Sequence, residues 1–167
     1  MQQRLDDLIK TLVGSDGQER KRARETLSLS GEAGVAELRD LLSSADKLSR
    51  WEAAKCLAAM VEPSCVDAFV GALEDEYSDV RWLAGSGLIA LGPRSISPVL
   101  EALVRHPDSL GYQQAARRIL RALSPDNDIL LEILRPVIDV LDHNDAAVIA
   151  ARAAAAQGEL ERIRPLL

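Results

Sequence analysis

A segment recurs about every 30 residues along this chain, and that period limits the possible folds more than any other feature. Its clearest copy is Asp79-Val80-Arg81-Trp82-Leu83-Ala84-Gly85-Ser86-Gly87-Leu88-Ile89-Ala90-Leu91-Gly92. Counted from Arg81, a small residue falls at +3, Leu at +7, an apolar residue at +10 and Gly at +11. The same offsets from Arg50 reach Ala53, Leu57 and Met60, and from Arg20 they reach Ala23, Leu27 and Gly31, with Ser30 as a weak member. From Gln113 they give Ala116, Leu120 and Leu123; from Ala147 they give Ala150, Ala154 and Gly158. Units of this length cannot bury an apolar face alone, so a fixed period signals a stacked array.

Within each unit the apolar positions follow a helical period. Leu5, Leu8, Ile9 and Leu12 lie at i, i+3, i+4 and i+7, and loops rich in Gly, Ser, Asp and Pro separate such runs. The pattern predicts outer helices at about 5–13, 35–42, 66–73 and 97–104, and inner helices at about 18–29, 49–61, 78–91, 110–123 and 146–157. Ser78 or Asp79 is the expected N-cap of the third inner helix, and Pro98 sits in a first turn, where its missing N–H costs nothing. The fifth unit is irregular. Pro136-Val137-Ile138-Asp139-Val140-Leu141 matches Pro98-Val99-Leu100-Glu101-Ala102-Leu103. Residues 129–135 are therefore either an extra turn or part of a longer helix kinked at Pro136. The expected fold is all-α: one domain over 1–167, an α-solenoid wound as a right-handed superhelix of about five helix pairs. The repeats fall at 5–31, 35–62, 66–92, 96–124 and 129–158, with 159–167 as a C-terminal cap or the start of a further repeat.

Composition narrows the function classes. Hydrophobic residues make up 47% but aromatics only 3%, so Ala and Leu carry the apolar content, which suits helix on helix. The net charge of −6 is a poor match for a phosphate backbone or an anionic membrane surface, so no nucleic acid and no membrane is expected as a partner. Met1 leads into polar Gln2-Gln3-Arg4 with no apolar stretch after it, so no signal peptide is expected, and no apolar run is expected to approach the roughly 18 residues of a membrane span. Cys56 and Cys65 lack a Cys-x-x-Cys spacing, and Cys56 falls on an inner-helix core face, so a reduced, cytoplasmic protein is expected. Catalytic, metal and cofactor signals are missing. His106 and His143 sit singly in loops, no His-Glu pair has metal-ligand spacing, and Gly85-Ser86-Gly87 lies inside a helix rather than in a phosphate loop.

The Asp79-Val80-Arg81 start, the Ala84 and Leu88 spacing and the Leu91-Gly92 end resemble the HEAT repeat. The 30-residue form is similar to the subgroup named after phycobilin lyases, widespread in bacteria. Armadillo stacks are fold-level neighbours, but this spacing does not accommodate their third short helix. The resemblance covers about Leu5 to Gly158 and implies a scaffold or adaptor more than a particular activity. It also implies a structural ladder along the stack, with Asp46 and Arg50, and Asp75 or Asp79 and Arg81, in suitable positions. Gln113 stands where Arg is expected, so the ladder is expected to be interrupted there.

On a helical wheel, Val80, Leu83, Ala84, Gly87, Leu88 and Leu91 form one apolar face, while Trp82, Ser86 and Ile89 lie opposite. Trp51 occupies the same offset in the preceding unit, with Lys55 and Ala58 beneath it; Lys21, Gln114 and Val148 are the equivalents elsewhere, and Arg118 follows Gln114 by one turn. In a HEAT stack these positions line the concave surface. Two Trp on one line suggest anchors for a partner protein; the alternative is that each indole fills a gap between repeats. Arg117, Arg118 and Arg121, with Arg105 near in sequence, form a basic cluster, and Arg20, Lys21, Arg22 and Arg24 form another. Each is either a solvated face or a site for an acidic or anionic ligand. The expected function is a non-enzymatic scaffold holding a partner protein on the concave face through Trp51, Trp82, Lys55, Ser86, Ile89, Lys21, Gln114 and Arg118. The rival from the enzyme class is a bilin lyase or isomerase, or a subunit of one, cradling a tetrapyrrole between the indoles. A DNA-binding HEAT protein is disfavoured by the acidic charge.

Overall fold

A computed structural model describes residues 2–124, 127–143 and 145–163, and these residues contain helices and no strand. The helices are α1 (Gln2–Leu12), α2 (Gly17–Ser28), α3 (Glu32–Leu42), α4 (Lys47–Met60), α5 (Val66–Ala72), α6 (Ser78–Leu91), α7 (Ile96–Arg105), α8 (Leu110–Leu123), α9 (Asp128–Val140) and α10 (Ala146–Ile163). Short 3-10 turns at Pro63–Cys65 and Gly92–Ser95 lead into α5 and α7. Of the two openings for the fifth unit, the longer helix is the one formed, with Pro136 inside α9. α10 runs through 159–163, and residues 164–167 of the anticipated cap lie outside the described residues.

Helix starts follow the local chemistry. Asp16 caps α2 by accepting from the N–H groups of Gln18 and Glu19, Ser109 caps α8 and Asn127 caps α9, each satisfying N–H donors that have no partner within the helix. At α6 the expected cap is displaced. The helix already includes Ser78, and the Tyr77 carbonyl accepts the Arg81 N–H at 3.2 Å. Asp79 therefore sits in the first turn, where a negative charge favours the helix N-terminus.

The described residues form two compact units, 1–90 and 91–167. In the first, α1 packs on α2 and α3 on α4; α1 also packs on α3, α3 on α5, and α2 on α4. Outer helices thus stack on outer and inner on inner. Leu12, Leu27, Leu38, Leu57, Phe69 and Leu88 are fully buried between them. Gly87 permits the closest approach, because a Cβ there would stand 2.5 Å from Phe69 Cζ.

The second unit stacks differently. α7 packs on α8, α8 on α9, and α9 on α10, and α10 returns to pack extensively on α7. Gln157 Nε2 on α10 donates to the Ser97 carbonyl of α7 at 3.5 Å. A straight continuation would set α9 on α7 and α10 on α8, so the last pair is turned over and closes a ring of four helices. The buried face of α10 is Ile149, Ala153 and Ala156, small enough for close approach to α7.

Residues Ser78–Arg105 include a window with a mean hydropathy of 1.3, long and apolar enough by composition to cross a membrane. The expectation from unbroken apolar runs overlooked it, because isolated polar residues interrupt the run without lowering the average much. The window is half buried, and the stretch is broken into α6 and α7 by Gly92, whose φ of 74° suits glycine. Core helices of this composition pass the same length and hydropathy test.

Candidate functional site

In each of the first four repeats one side chain holds the loop between the outer and the inner helix. Arg20 Nη1 donates to the carbonyls of Gly14 and Ser15 at 2.9 and 2.8 Å. Arg50 does the same with Ser44 and Ala45, both at 2.9 Å, and Arg81 with Asp75 and Glu76 at 2.7 and 3.2 Å. The recurring Arg thus satisfies the carbonyls six and five residues before it. Gln113 reaches only the first of them, donating to the Pro107 carbonyl at 2.7 Å. Its amide carries an acceptor where the guanidinium carries only donors, and the buried Oε1 has no hydrogen-bond partner.

The acids pair differently from the sequence expectation. Asp46 accepts from the Ser49 N–H and hydroxyl, each at 2.8 Å, and those hydrogen bonds hold its carboxyl below the ordinary value. Arg50 instead reaches forward to the next loop, donating to Asp75 at 2.6 and 3.2 Å and to Glu76 at 3.0 Å. These charge-assisted bonds push its pKa up. Arg81 holds backbone carbonyls rather than Asp79. The segment 75–76 is therefore gripped from both sides, by the side chain at the start of α4 and by that at the start of α6. Tyr77 adds to the same junction, with Lys47 Nζ 4.2 Å and Arg50 Cζ 5.5 Å from its ring centroid.

Sequence reasoning missed Glu52. It is 1% exposed and lies between α4 and α2, accepting from Arg20 Nε at 3.2 Å and from Arg24. Arg20 and Arg24 are one helical turn apart, so both can converge on one carboxylate in the neighbouring repeat. Half of the basic group on α2 is thereby engaged in the stack. Cys56, one turn after Glu52, is buried, and desolvation pushes its thiol up to about 12.

Trp51, Lys55, Trp82, Ser86 and Ile89 lie on α4 and α6 of the first unit, with Lys21 on α2. Trp51 follows Arg50 at the start of α4, and Trp82 follows Arg81 at the start of α6. Trp82 is 62% exposed, and the Ser86 hydroxyl donates to its carbonyl at 2.9 Å. Trp51 is half-buried, and Lys55 Nζ stands 4.5 Å over its ring, a cation–π contact. Ile89 is half-buried and Lys21 exposed. Gln114 and Arg118 lie on α8 of the second unit.

The HEAT repeats family profile matches residues 5–89 and, in a second register, 35–121. The chain belongs to the HEAT-repeat family. The HEAT match ends at Arg121, just before the pair α9–α10 that is turned over. No curated protein matches the chain. Within the HEAT array the basic cluster on α8 is partly spent. Arg117 pairs with Asp142, Arg118 is half-buried with its pKa lowered by desolvation, and Arg121 is exposed. Arg105 pairs with Glu101. His106 stacks on Tyr112 with centroids 5.4 Å apart, and His143 Nδ1 lies 3.1 Å from the Asp139 carbonyl. Among the described residues no group of three or more His, Cys, Asp or Glu could hold a metal ion. A pocket of about 560 Å³ opens between α1, α2 and the start of α3, walled by Leu5, Leu8, Thr26 and Leu29; it contains none of the Trp-stripe residues.

Proposed function

We propose that this HEAT array is a non-enzymatic, cytoplasmic scaffold that holds a partner protein against its inner helices, with Trp51 and Trp82 as anchors. The exposed Trp82 indole carries this reading. A large aromatic turned away from the core of its own helix pair contributes little to folding, and Trp is the residue type most enriched at interface hot spots. HEAT repeats commonly serve as protein-interaction scaffolds, which agrees. The intervals of 30 and 31 residues between Arg20, Arg50 and Arg81 support placing the chain in the short-repeat subgroup. The test is affinity capture from the source cells with wild type and with Trp51→Ala/Trp82→Ala, each shown by circular dichroism to be folded. One or more proteins should be retained by wild type and lost by the double variant. Identical captured sets would remove the two indoles from the binding surface.

A further inference from the structure

Charge is sorted between the two helix rows of the first unit. Inner helices α2, α4 and α6 carry eight basic and four acidic residues, whereas outer helices α1, α3 and α5 carry three basic and six acidic ones. A chain with an acidic total thus keeps a basic inner row. Much of that basic charge is committed: Arg20 and Arg24 to Glu52, Arg50 to Asp75 and Glu76, Arg81 to backbone carbonyls. Lys55 is different. Its ammonium rests on the Trp51 ring at 4.5 Å, and among the described residues no carboxylate pairs with it. A cation lying on one indole, with a second indole exposed on the next inner helix, is a two-part receptor: a charge for an acid and a flat apolar surface for a bulky side chain.

Building on the scaffold function above, we propose that the partner presents a short acidic–apolar peptide segment. One of its Asp or Glu carboxylates takes the Lys55 ammonium, and an adjacent large apolar side chain covers Trp82 and Ile89. At an exposed site the cation–π contact is worth less than tenfold in an equilibrium, so a carboxylate arriving in a partly desolvated interface can draw Lys55 off the ring. That movement uncovers Trp51 as the second anchor. Asp79, in the first turn of α6 close to Trp82 in sequence, adds a negative charge that opposes a run of phosphates, which favours a peptide over a nucleic acid.

The experiment is selection from a random 12-residue peptide display library against the full chain, with parallel selections on Lys55→Met, Lys55→Glu and Trp82→Ala. Lys55→Met keeps the apolar stem over Trp51 and removes only the charge. Wild type should enrich peptides with Asp or Glu beside a bulky apolar residue. A synthetic peptide from that pool should bind Lys55→Met about tenfold more weakly, and Lys55→Glu should enrich Lys or Arg instead. A Trp82-dependent pool with no excess of acidic residues would overturn the acidic-segment assignment while leaving the scaffold face intact. Identical pools on wild type and Trp82→Ala would overturn both. Full displacement of the peptide by an equimolar single-stranded oligonucleotide would replace the peptide with a nucleic acid.

Discussion

Replacing Gly87 by Ala tests how tightly α5 and α6 are fitted together. The new methyl would lie 2.5, 2.6 and 3.0 Å from Cζ, Cε2 and Cδ2 of Phe69. Carbon atoms in good contact stand about 3.5–4.0 Å apart, so ring or helix must move by about 1 Å. Phe69 is fully buried and cannot swing into solvent. Overpacking of this kind costs about 1–3 kcal/mol, while removing a mid-helix glycine returns about 1 kcal/mol. The expected net loss is about 1 kcal/mol. Gly71 and Gly158 supply the controls: both are helical, and nothing lies within 4 Å of an added Cβ. Gly71→Ala and Gly158→Ala should therefore gain about 0.5–1 kcal/mol. Urea unfolding followed by circular dichroism measures all three, and Gly87→Ala/Phe69→Leu should show positive coupling in a double-mutant cycle. If Gly87→Ala gains stability by the same increment as the controls, the close approach of α5 to α6 is wrong.

Other perturbations probe different features. Glu52→Ala leaves two partly exposed guanidinium groups without their shared carboxylate and should cost about 2–3 kcal/mol in urea unfolding. Glu52→Gln, which keeps an oxygen acceptor for the two guanidinium groups, should cost less than Glu52→Met, which offers them none. The Asp46 carboxyl is depressed in the fold, so its contribution is present above its ordinary value near 3.8 and is lost as pH falls through the lower folded value. Asp46→Asn should therefore lower the melting temperature near pH 7 and converge on wild type below about pH 4, so that the acid limb of a melting-temperature-against-pH profile is flatter. Cys56 and Cys65 are buried with raised pKa values, so a thiol reagent at pH 8 should label neither in native protein and both in urea. Rapid native labelling of Cys56 would contradict its burial on α4.

Helices and their inner faces were legible because each rests on local spacing. The buried residues Val80, Ala84, Gly87, Leu88 and Leu91 are those a helical wheel groups together, and the exposed Trp82 falls opposite. Glu52 was not legible. It stands two positions after Arg50, where the wheel shows only a polar residue, and its partners come from another helix 28 and 32 residues earlier. The choice of Asp75 over Asp46 by Arg50 depends on how far a loop projects, which spacing does not encode. The inverted pair α9–α10 was hidden for another reason. An amphipathic helix specifies which face is buried but not which neighbour buries it, and Pro136–Leu141 matches Pro98–Leu103 in either arrangement.

The Glu52 carboxylate carries a consequence for how such a chain can change over time. Repeat arrays are usually regarded as strings of interchangeable parts, lengthened by duplication or shortened by deletion. Here the second repeat contains an anion whose counter-ions both belong to the first. Deleting the first repeat would strand that anion at a new surface, and inserting a unit between the two would separate it from both arginines. The first two repeats therefore behave as one unit in any rearrangement, and a graft that moves either alone should carry a neutral residue at position 52.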